Sequence, residues 1–183
     1  MRNTPEHWGA VAKAFHWVIA ALILVQLPLG WIAQALPLSP TKLDVFVWHK
    51  SVGVTVLVLV LARIAWRLAN PTPALPADLP RWERRAARAS HLLLYALMLA
   101  QPLSGWIINA AANIPFRVFW LVPLPDPVAP DEALEASAKT VHLSLFVVLV
   151  AALAVHVGAA LRHHFVRRNA VLMRMLPLGG SPP

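Results

Sequence analysis

Two histidines near the C-terminus, His142 and His156, lie fourteen residues apart in an apolar stretch that contains no charged residue. Fourteen residues of α-helix make nearly four turns, so the two side chains lie on one side of the helix, about 21 Å apart. His16 and His49 lie in two further apolar stretches. Neutral imidazole is a common ligand of metal ions, so these four histidines are candidate metal ligands at two levels of a helical protein.

The composition indicates a membrane protein. Hydrophobic residues make up 58% of the chain and charged residues 13%, against about 45–50% and 25% in soluble domains. A chain of 183 residues cannot bury that much apolar surface in water. The absence of cysteine excludes disulfides, iron–sulfur clusters and thioether-linked haem. The net charge of +8 does not indicate nucleic acid, because the basic residues cluster between the apolar stretches.

Four apolar stretches are long enough to cross a bilayer, which takes about 20 residues of α-helix. We expect helices over about residues 14–36, 45–67, 89–109 and 139–164. The chain is therefore predicted to be an all-α integral membrane protein, a bundle of four transmembrane helices that forms one domain over residues 1–183. The first stretch also has the form of a signal peptide that ends at Ala33-Gln34-Ala35, although it is longer than the usual apolar region of about 7–15 residues.

The connections between the helices differ in composition. Residues 70–80 are rich in proline, which is typical of a stiff extended linker. Residues 78–88 are predicted to form a short basic helix on the membrane surface. The loop of residues 114–135 is the longest connection, and its aromatic residues suit either the membrane interface or a lid over one face.

Lysine and arginine predict the orientation in the membrane. Twelve of the sixteen lie on the side of the chain termini, so both termini are expected to be cytoplasmic. The four on the other side, which is the outer side, are Lys42, Lys50, Arg117 and Lys139.

The two levels pair the histidines by depth. His16 and His156 share the cytoplasmic level, and His49 and His142 share the outer level. Two bis-histidine sites stacked across a bilayer indicate two b-type haems without covalent attachment. Zinc is disfavoured because its ligands form one compact cluster, whereas a proton relay or plain interfacial histidines remain alternatives. Small residues that would leave room for a flat porphyrin are Gly30, Gly53, Ala152, Ala159 and Ala160.

The first and third stretches form an internal repeat. Residues 16–32 and 91–107 match at eight of seventeen positions without a gap. The matches include His16 with His91 and three further pairs that are not plain aliphatic matches, namely Gln26 with Gln101, Gly30 with Gly105 and Trp31 with Trp106. The second and fourth stretches align less clearly, because either His49 or Gly53 can be placed on His142. His91 could therefore replace His16 or His156 as a ligand, or lie at the interface.

These residues resemble the bacterial cytochrome b-561 family, the small four-helix di-haem cytochromes of the inner membrane. The resemblance covers about residues 12–177. It rests on His16-Trp17, His49, Gly53, Arg63, Arg67, Asn70-Pro71-Thr72-Pro73, His91, Tyr95, Pro102, Gly105, His142, His156, His163-His164 and the tail of residues 169–177. The resemblance implies two haem b groups with the ligand pairs given above, and ubiquinone as the electron acceptor.

Some members of this family are similar to superoxide oxidase. For this chain the resemblance implies an oxidoreductase that takes electrons from superoxide at the periplasmic face and reduces ubiquinone. The alternative is a cytochrome b anchor subunit that passes electrons between a partner oxidoreductase and the quinone pool. A haem-free membrane protein, such as a small transporter, is a third possibility.

Five further residues are candidates for the substrate sites. Lys50 is next to His49, and Lys139 lies three residues before His142, so both lysines could steer the superoxide anion. On the cytoplasmic side, His91, Arg88 and His163 are candidates for a quinone site.

Overall fold

Four long apolar helices make up most of the chain in the computed structural model, which describes residues 2–5, 7–75 and 79–177. They are α1 (Ala10–Ala35), α2 (Pro40–Leu68), α3 (Arg81–Ala111) and α4 (Glu132–Phe165). Each helix is long and apolar enough to cross a membrane. The predicted all-α bundle of four transmembrane helices is therefore confirmed.

The four helices pack as two hairpins. α1 lies against α2 and α3 lies against α4, while contacts between α2 and α3 join the two hairpins. The buried core lies between the two histidine levels, as Leu149 shows, because it lies halfway between His142 and His156 on α4. The core residues are Ile19, Ile23, Val52, Val56, Val60, Leu94, Leu97, Met98 and Leu149.

The helices begin earlier than the apolar pattern predicts. α4 begins at Glu132 rather than near residue 139, and the Asp131 carboxylate accepts a hydrogen bond from the Leu134 amide at 2.9 Å. α2 begins at Pro40, where the Ser39 hydroxyl accepts from the Lys42 amide. Such caps satisfy free amides of the first turn. They extend the helices into polar sequence that the apolar pattern does not mark.

The expectation of a separate basic surface helix over residues 78–88 is wrong. Residues from Arg81 onward form the first turns of α3, and residues 76–78 lie outside the described part of the chain. No glycine or proline separates Arg81 from the apolar span, so the helix continues. Glu83 in its first turn is buried and binds Arg167 at 2.6 Å and Arg162 at 3.3 Å.

Both ends of the described chain meet at one end of the bundle. The Ala74 amide of the α2–α3 connection donates to the Pro5 carbonyl at 3.1 Å. The Trp17 indole donates to the Met175 carbonyl of the C-terminal segment at 2.8 Å. The termini therefore lie on the same side, and their cytoplasmic location remains a prediction from the charges.

A small hairpin packs on the opposite end of the bundle, which is the outer end in the predicted orientation. It consists of β1 (Arg117–Val118) and β2 (Val122–Pro123), which pair antiparallel. The Phe119 amide donates to the Ser51 hydroxyl of α2 at 2.7 Å. The Trp48 ring lies against the rings of Phe119 and Trp120. The long outer loop is therefore held against the outer end of α2.

Candidate functional site

The structure brings the four ligand candidates together as two pairs of imidazole rings. The ring centres of His16 and His156 are 6.4 Å apart, with 61° between the ring planes. The ring centres of His49 and His142 are also 6.4 Å apart, with 76° between the planes. His142 and His156 both lie on α4, so this one helix contributes to both pairs.

This spacing fits two imidazoles that bind one metal ion from opposite sides. Two metal–nitrogen bonds of about 2 Å, plus about 1 Å from each nitrogen to its ring centre, separate the ring centres by roughly 6 Å. Two imidazoles are the axial ligand set of many b-type haems. The residues present therefore fit a haem at each level, which His16 and His156 would hold at one level and His49 and His142 at the other.

In the outer pair, hydrogen bonds hold the ring of His142. The Ser104 hydroxyl oxygen lies 2.9 Å from His142 Nδ1, and the Gln101 amide nitrogen lies 3.2 Å from His142 Nε2. Among the described residues, Nδ1 of His49 is buried without a hydrogen-bond partner. Gln26, the repeat partner of Gln101, donates instead to the His49 carbonyl at 2.7 Å.

Two glycines leave space for the rings of the outer pair. A Cβ atom on Gly30 would lie 3.0 Å from Cε1 of His49, and a Cβ atom on Gly105 would lie 3.2 Å from Cε1 of His142. Gly53 lies against a different side chain, and its place beside a porphyrin stays a prediction. A Cβ atom there would lie 3.0 Å from the Gln26 amide nitrogen, so Gly53 makes room for that side chain.

The glycine contacts favour one register for the second half of the repeat. Gly30 of α1 lies against His49 of α2, just as Gly105 of α3 lies against His142 of α4. His49 therefore corresponds to His142, which is the first of the two alignments that the sequence allows. In this register Arg63 of α2 corresponds to His156 of α4.

At the inner level a third histidine and an arginine lie beside the pair. The ring centres of His91 and His156 are 5.6 Å apart, shorter than the 6.4 Å between His16 and His156. Arg63 lies 3.1 Å from Nδ1 of His16. A guanidinium only donates hydrogen bonds, so this contact places the proton of a neutral His16 on Nε2. A neutral His16 that binds metal through Nε2 must carry its proton on Nδ1 instead. Metal binding through Nε2 therefore requires the Arg63 contact to open.

Two arginines of α2 share one aromatic partner at the inner level. The guanidinium carbons of Arg63 and Arg67 lie 5.6 Å and 5.8 Å from the centre of the Tyr95 ring. These three side chains line a cavity of about 20 Å³, which residues of the N-terminal and C-terminal segments also line. The inner histidines therefore lie beside a fixed pair of positive charges.

The two lysines proposed to steer superoxide have different partners. Lys50 donates to the Asn109 side chain at 2.5 Å and lies over the rings of Phe46 and Phe116. Lys139 is exposed and forms an ion pair with Glu135. Of these two lysines, therefore, Lys50 alone has no carboxylate partner among the described residues.

The three quinone candidates contact different groups of residues. His91 faces His156 in the bundle. Arg88 is exposed and lines an open cavity of about 340 Å³ with three other arginines, namely Arg81, Arg84 and Arg85. Nδ1 of His163 lies 3.1 Å from the Asn169 amide nitrogen. Of the three, His91 is the one in contact with the inner pair.

Four membrane-spanning helices that present paired histidines at two depths define a membrane cytochrome of the b type. The family described as "Prokaryotic cytochrome b561" matches residues 7–178. The chain therefore belongs to the prokaryotic cytochrome b561 family. It is accordingly a multi-pass bacterial membrane protein that binds haem b and transfers electrons.

Three curated relatives match almost the whole chain. "Cytochrome b561 homolog 2" of Escherichia coli (strain K12) is 34% identical over 181 residues, which is 98% of this chain and 96% of the relative. "Cytochrome b561 homolog 1" of the same organism is 28% identical over 168 residues, 88% of this chain and 92% of the relative. "Probable superoxide oxidase CybB" of Yersinia pestis is 27% identical over 175 residues, 94% of this chain and 97% of the relative.

Proposed function

We propose that this chain holds two haem b groups and transfers electrons from superoxide at its outer end to ubiquinone at its cytoplasmic end. His16 and His156 hold the inner haem, and His49 and His142 hold the outer haem. The observation that carries this proposal is the equal separation of the two ring pairs, 6.4 Å in each. Both distances suit two imidazoles on one iron, and α4 supplies one ligand to each pair.

Haem supplies one-electron chemistry when it is bound. The protein fixes the positions of the ligands and keeps the space between them apolar. His142 and His156 are separated by fourteen residues of continuous helix, which sets the two levels about 21 Å apart. The buried core lies between these levels, and it includes the fully buried side chains of Ile19 and Val60. The two ligand pairs are therefore held at a fixed spacing by an apolar core.

Two observations support superoxide as the electron donor. The relative from Yersinia pestis is named a probable superoxide oxidase. In addition, Lys50 follows His49 directly and is bound to the neutral Asn109 rather than to a carboxylate. Its positive charge would attract a small anion toward the outer pair.

The proposed reaction balances with one quinone for two superoxide ions. Each superoxide loses one electron and becomes dioxygen. Ubiquinone takes both electrons together with two protons and becomes ubiquinol. We place this reduction at the cytoplasmic end in a bacterial inner membrane, where His91, beside the inner pair, is the candidate proton donor, with Arg88 and His163 nearer the exposed surface.

The direct test is a superoxide pulse in stopped flow on the purified protein, followed by measurement of ubiquinol with a short-chain ubiquinone. We expect rapid haem reduction, and one ubiquinol for every two superoxide ions consumed. Superoxide dismutase in a parallel sample should abolish both signals. A protein that contains haem but is not reduced by superoxide would contradict the proposed donor and favour the anchor-subunit alternative.

A further inference from the structure

The outer-level histidine of α4 has a specific partner on α3. The Ser104 hydroxyl oxygen lies 2.9 Å from Nδ1 of His142 and 2.8 Å from the carbonyl oxygen of Gln101. Ser104 is buried, so its hydroxyl has little access to water. Both of its contacts are therefore part of the packed interior.

The hydroxyl proton of Ser104 has one possible position. Two oxygens 2.8 Å apart need a proton between them, and the carbonyl oxygen of Gln101 carries none. The hydroxyl must therefore donate to that carbonyl. Its contact with His142 then requires the opposite direction, in which Nδ1 of His142 carries a proton and donates it to the Ser104 oxygen.

The second ring nitrogen of His142 agrees with this assignment. A neutral imidazole with its proton on Nδ1 has a lone pair on Nε2. The Gln101 amide nitrogen, a donor, lies 3.2 Å from Nε2. The contacts on the two nitrogens thus favour the same tautomer, the one in which Nε2 can bind iron.

Two of the other ligand candidates, His49 and His16, are not held in this way. Among the described residues, Nδ1 of His49 is buried without a partner, and Nδ1 of His16 faces Arg63, which can only donate. In the α1 half of the repeat, Leu29 occupies the position of Ser104. The serine therefore distinguishes His142 from its counterpart His49.

We propose that Ser104 is a positioning residue for the outer haem, because its hydroxyl accepts the Nδ1 proton of His142 and so keeps a lone pair on Nε2, where iron would replace the contact with the Gln101 amide nitrogen. This inference rests on the proposed pairing of His49 with His142. A hydrogen-bond acceptor on the far nitrogen of a ligating histidine fixes the ring and raises its basicity. A more basic ligand stabilises ferric over ferrous iron, so Ser104 lowers the reduction potential of the outer haem.

The test compares Ser104→Ala with Ser104→Thr, which keeps a hydroxyl. In the haem-loaded protein, S104A should raise the midpoint potential of one haem and leave the other unchanged. It should also speed the transfer of that haem to excess apomyoglobin by roughly 10–100-fold, the usual effect of losing such a partner. S104T should stay close to the wild type in both measurements.

Ser144→Ala is the matched control, because the Ser144 hydroxyl lies two residues after His142 and donates to the Thr140 carbonyl. It should change neither potential. If S104A fails to fold, Ser104→Cys, with its weaker acceptor, should give a smaller shift in the same direction.

Two results would overturn the inference while leaving the proposed function intact. One is an S104A or S104C protein with two haems, unchanged potentials and unchanged haem loss. The other is a shift in S104T as large as that in S104A, which would assign the effect to packing. A wild-type protein that binds fewer than two haems would instead contradict the ligand pairing itself, and the inference with it.

Discussion

The guanidinium of Arg63 lies 3.1 Å from Nδ1 of His16, at the α2 position that corresponds in the repeat to His156 of α4. The inner level thus has three histidines and one arginine where full symmetry between the hairpins would give four histidines. The repeat therefore produces two different levels. The outer one has a symmetric pair of histidines, and the inner one has a positive charge beside its pair.

Replacing Arg63 with methionine should lower the midpoint potential of the inner haem. A nearby positive charge favours the ferrous form, which carries one positive charge less than the ferric form. Loss of the arginine charge should weaken the preference for the ferrous form by on the order of 1–2 kcal/mol, as is typical of charges in a partly buried site. Redox titration followed by visible spectroscopy measures the change. Arg67→Met is the control. Arg67 lies over the same Tyr95 ring as Arg63, but among the described residues it makes no hydrogen bond to a ligand candidate, so the potential shift should be smaller.

Adding a methyl group at Gly30 or Gly105 should disturb the outer haem. The new Cβ atom would lie 3.0 Å from the His49 ring or 3.2 Å from the His142 ring. Such overpacking costs about 1–3 kcal/mol when neighbours must move. We expect Gly30→Ala and Gly105→Ala to weaken outer haem binding, as measured by haem content after gel filtration. Gly158→Ala should have no effect, because nothing lies within 4 Å of the added atom.

Lys50 and Lys139 should differ in their effect on superoxide. Lys50→Met removes a charge bound to neutral Asn109, and it should slow haem reduction by superoxide several-fold at low salt. Lys139→Met removes a charge already paired with Glu135 and should have little effect. The Lys50 effect should shrink as salt rises, since the screening length is about 10 Å at 0.1 M. Equal rates in both variants at every salt concentration would rule out steering by Lys50.

His91 should affect quinone reduction more strongly than either of the other quinone candidates. His91→Ala should keep both haems and slow ubiquinol formation by roughly 100-fold, the lower range for loss of a proton-transferring group. Arg88→Ala and His163→Ala should act more weakly, because their contacts lie away from the inner pair. Unchanged ubiquinol formation in the triple variant would place the quinone elsewhere.

The sequence predicts the helices well because apolar length is a strong signal in a membrane protein. It misses where they begin, because the caps at Asp131 and Ser39 lie in polar sequence that could equally form loops. It also separates the basic residues after Arg81 from α3, since charge alone does not reveal whether a helix continues into water.

The histidine pairs could be predicted from depth, whereas the residues that orient them could not. A serine in a transmembrane helix usually bonds to the backbone of the preceding turn, and Ser104 does so as well. Only the packing of α3 on α4 reveals its second contact with His142. The position of Arg63 was available from the repeat, but only after the glycine contacts had selected one of two registers.

The haem content of the purified protein tests the central claim most directly. A pyridine haemochrome assay should find two b haems per chain in the wild type and in His91→Ala. It should find one haem in His142→Ala and one in His156→Ala, each with the remaining low-spin spectrum unchanged. A wild type with one haem or none, or a His91→Ala variant that loses a haem while His16→Ala keeps two, would contradict the pairing.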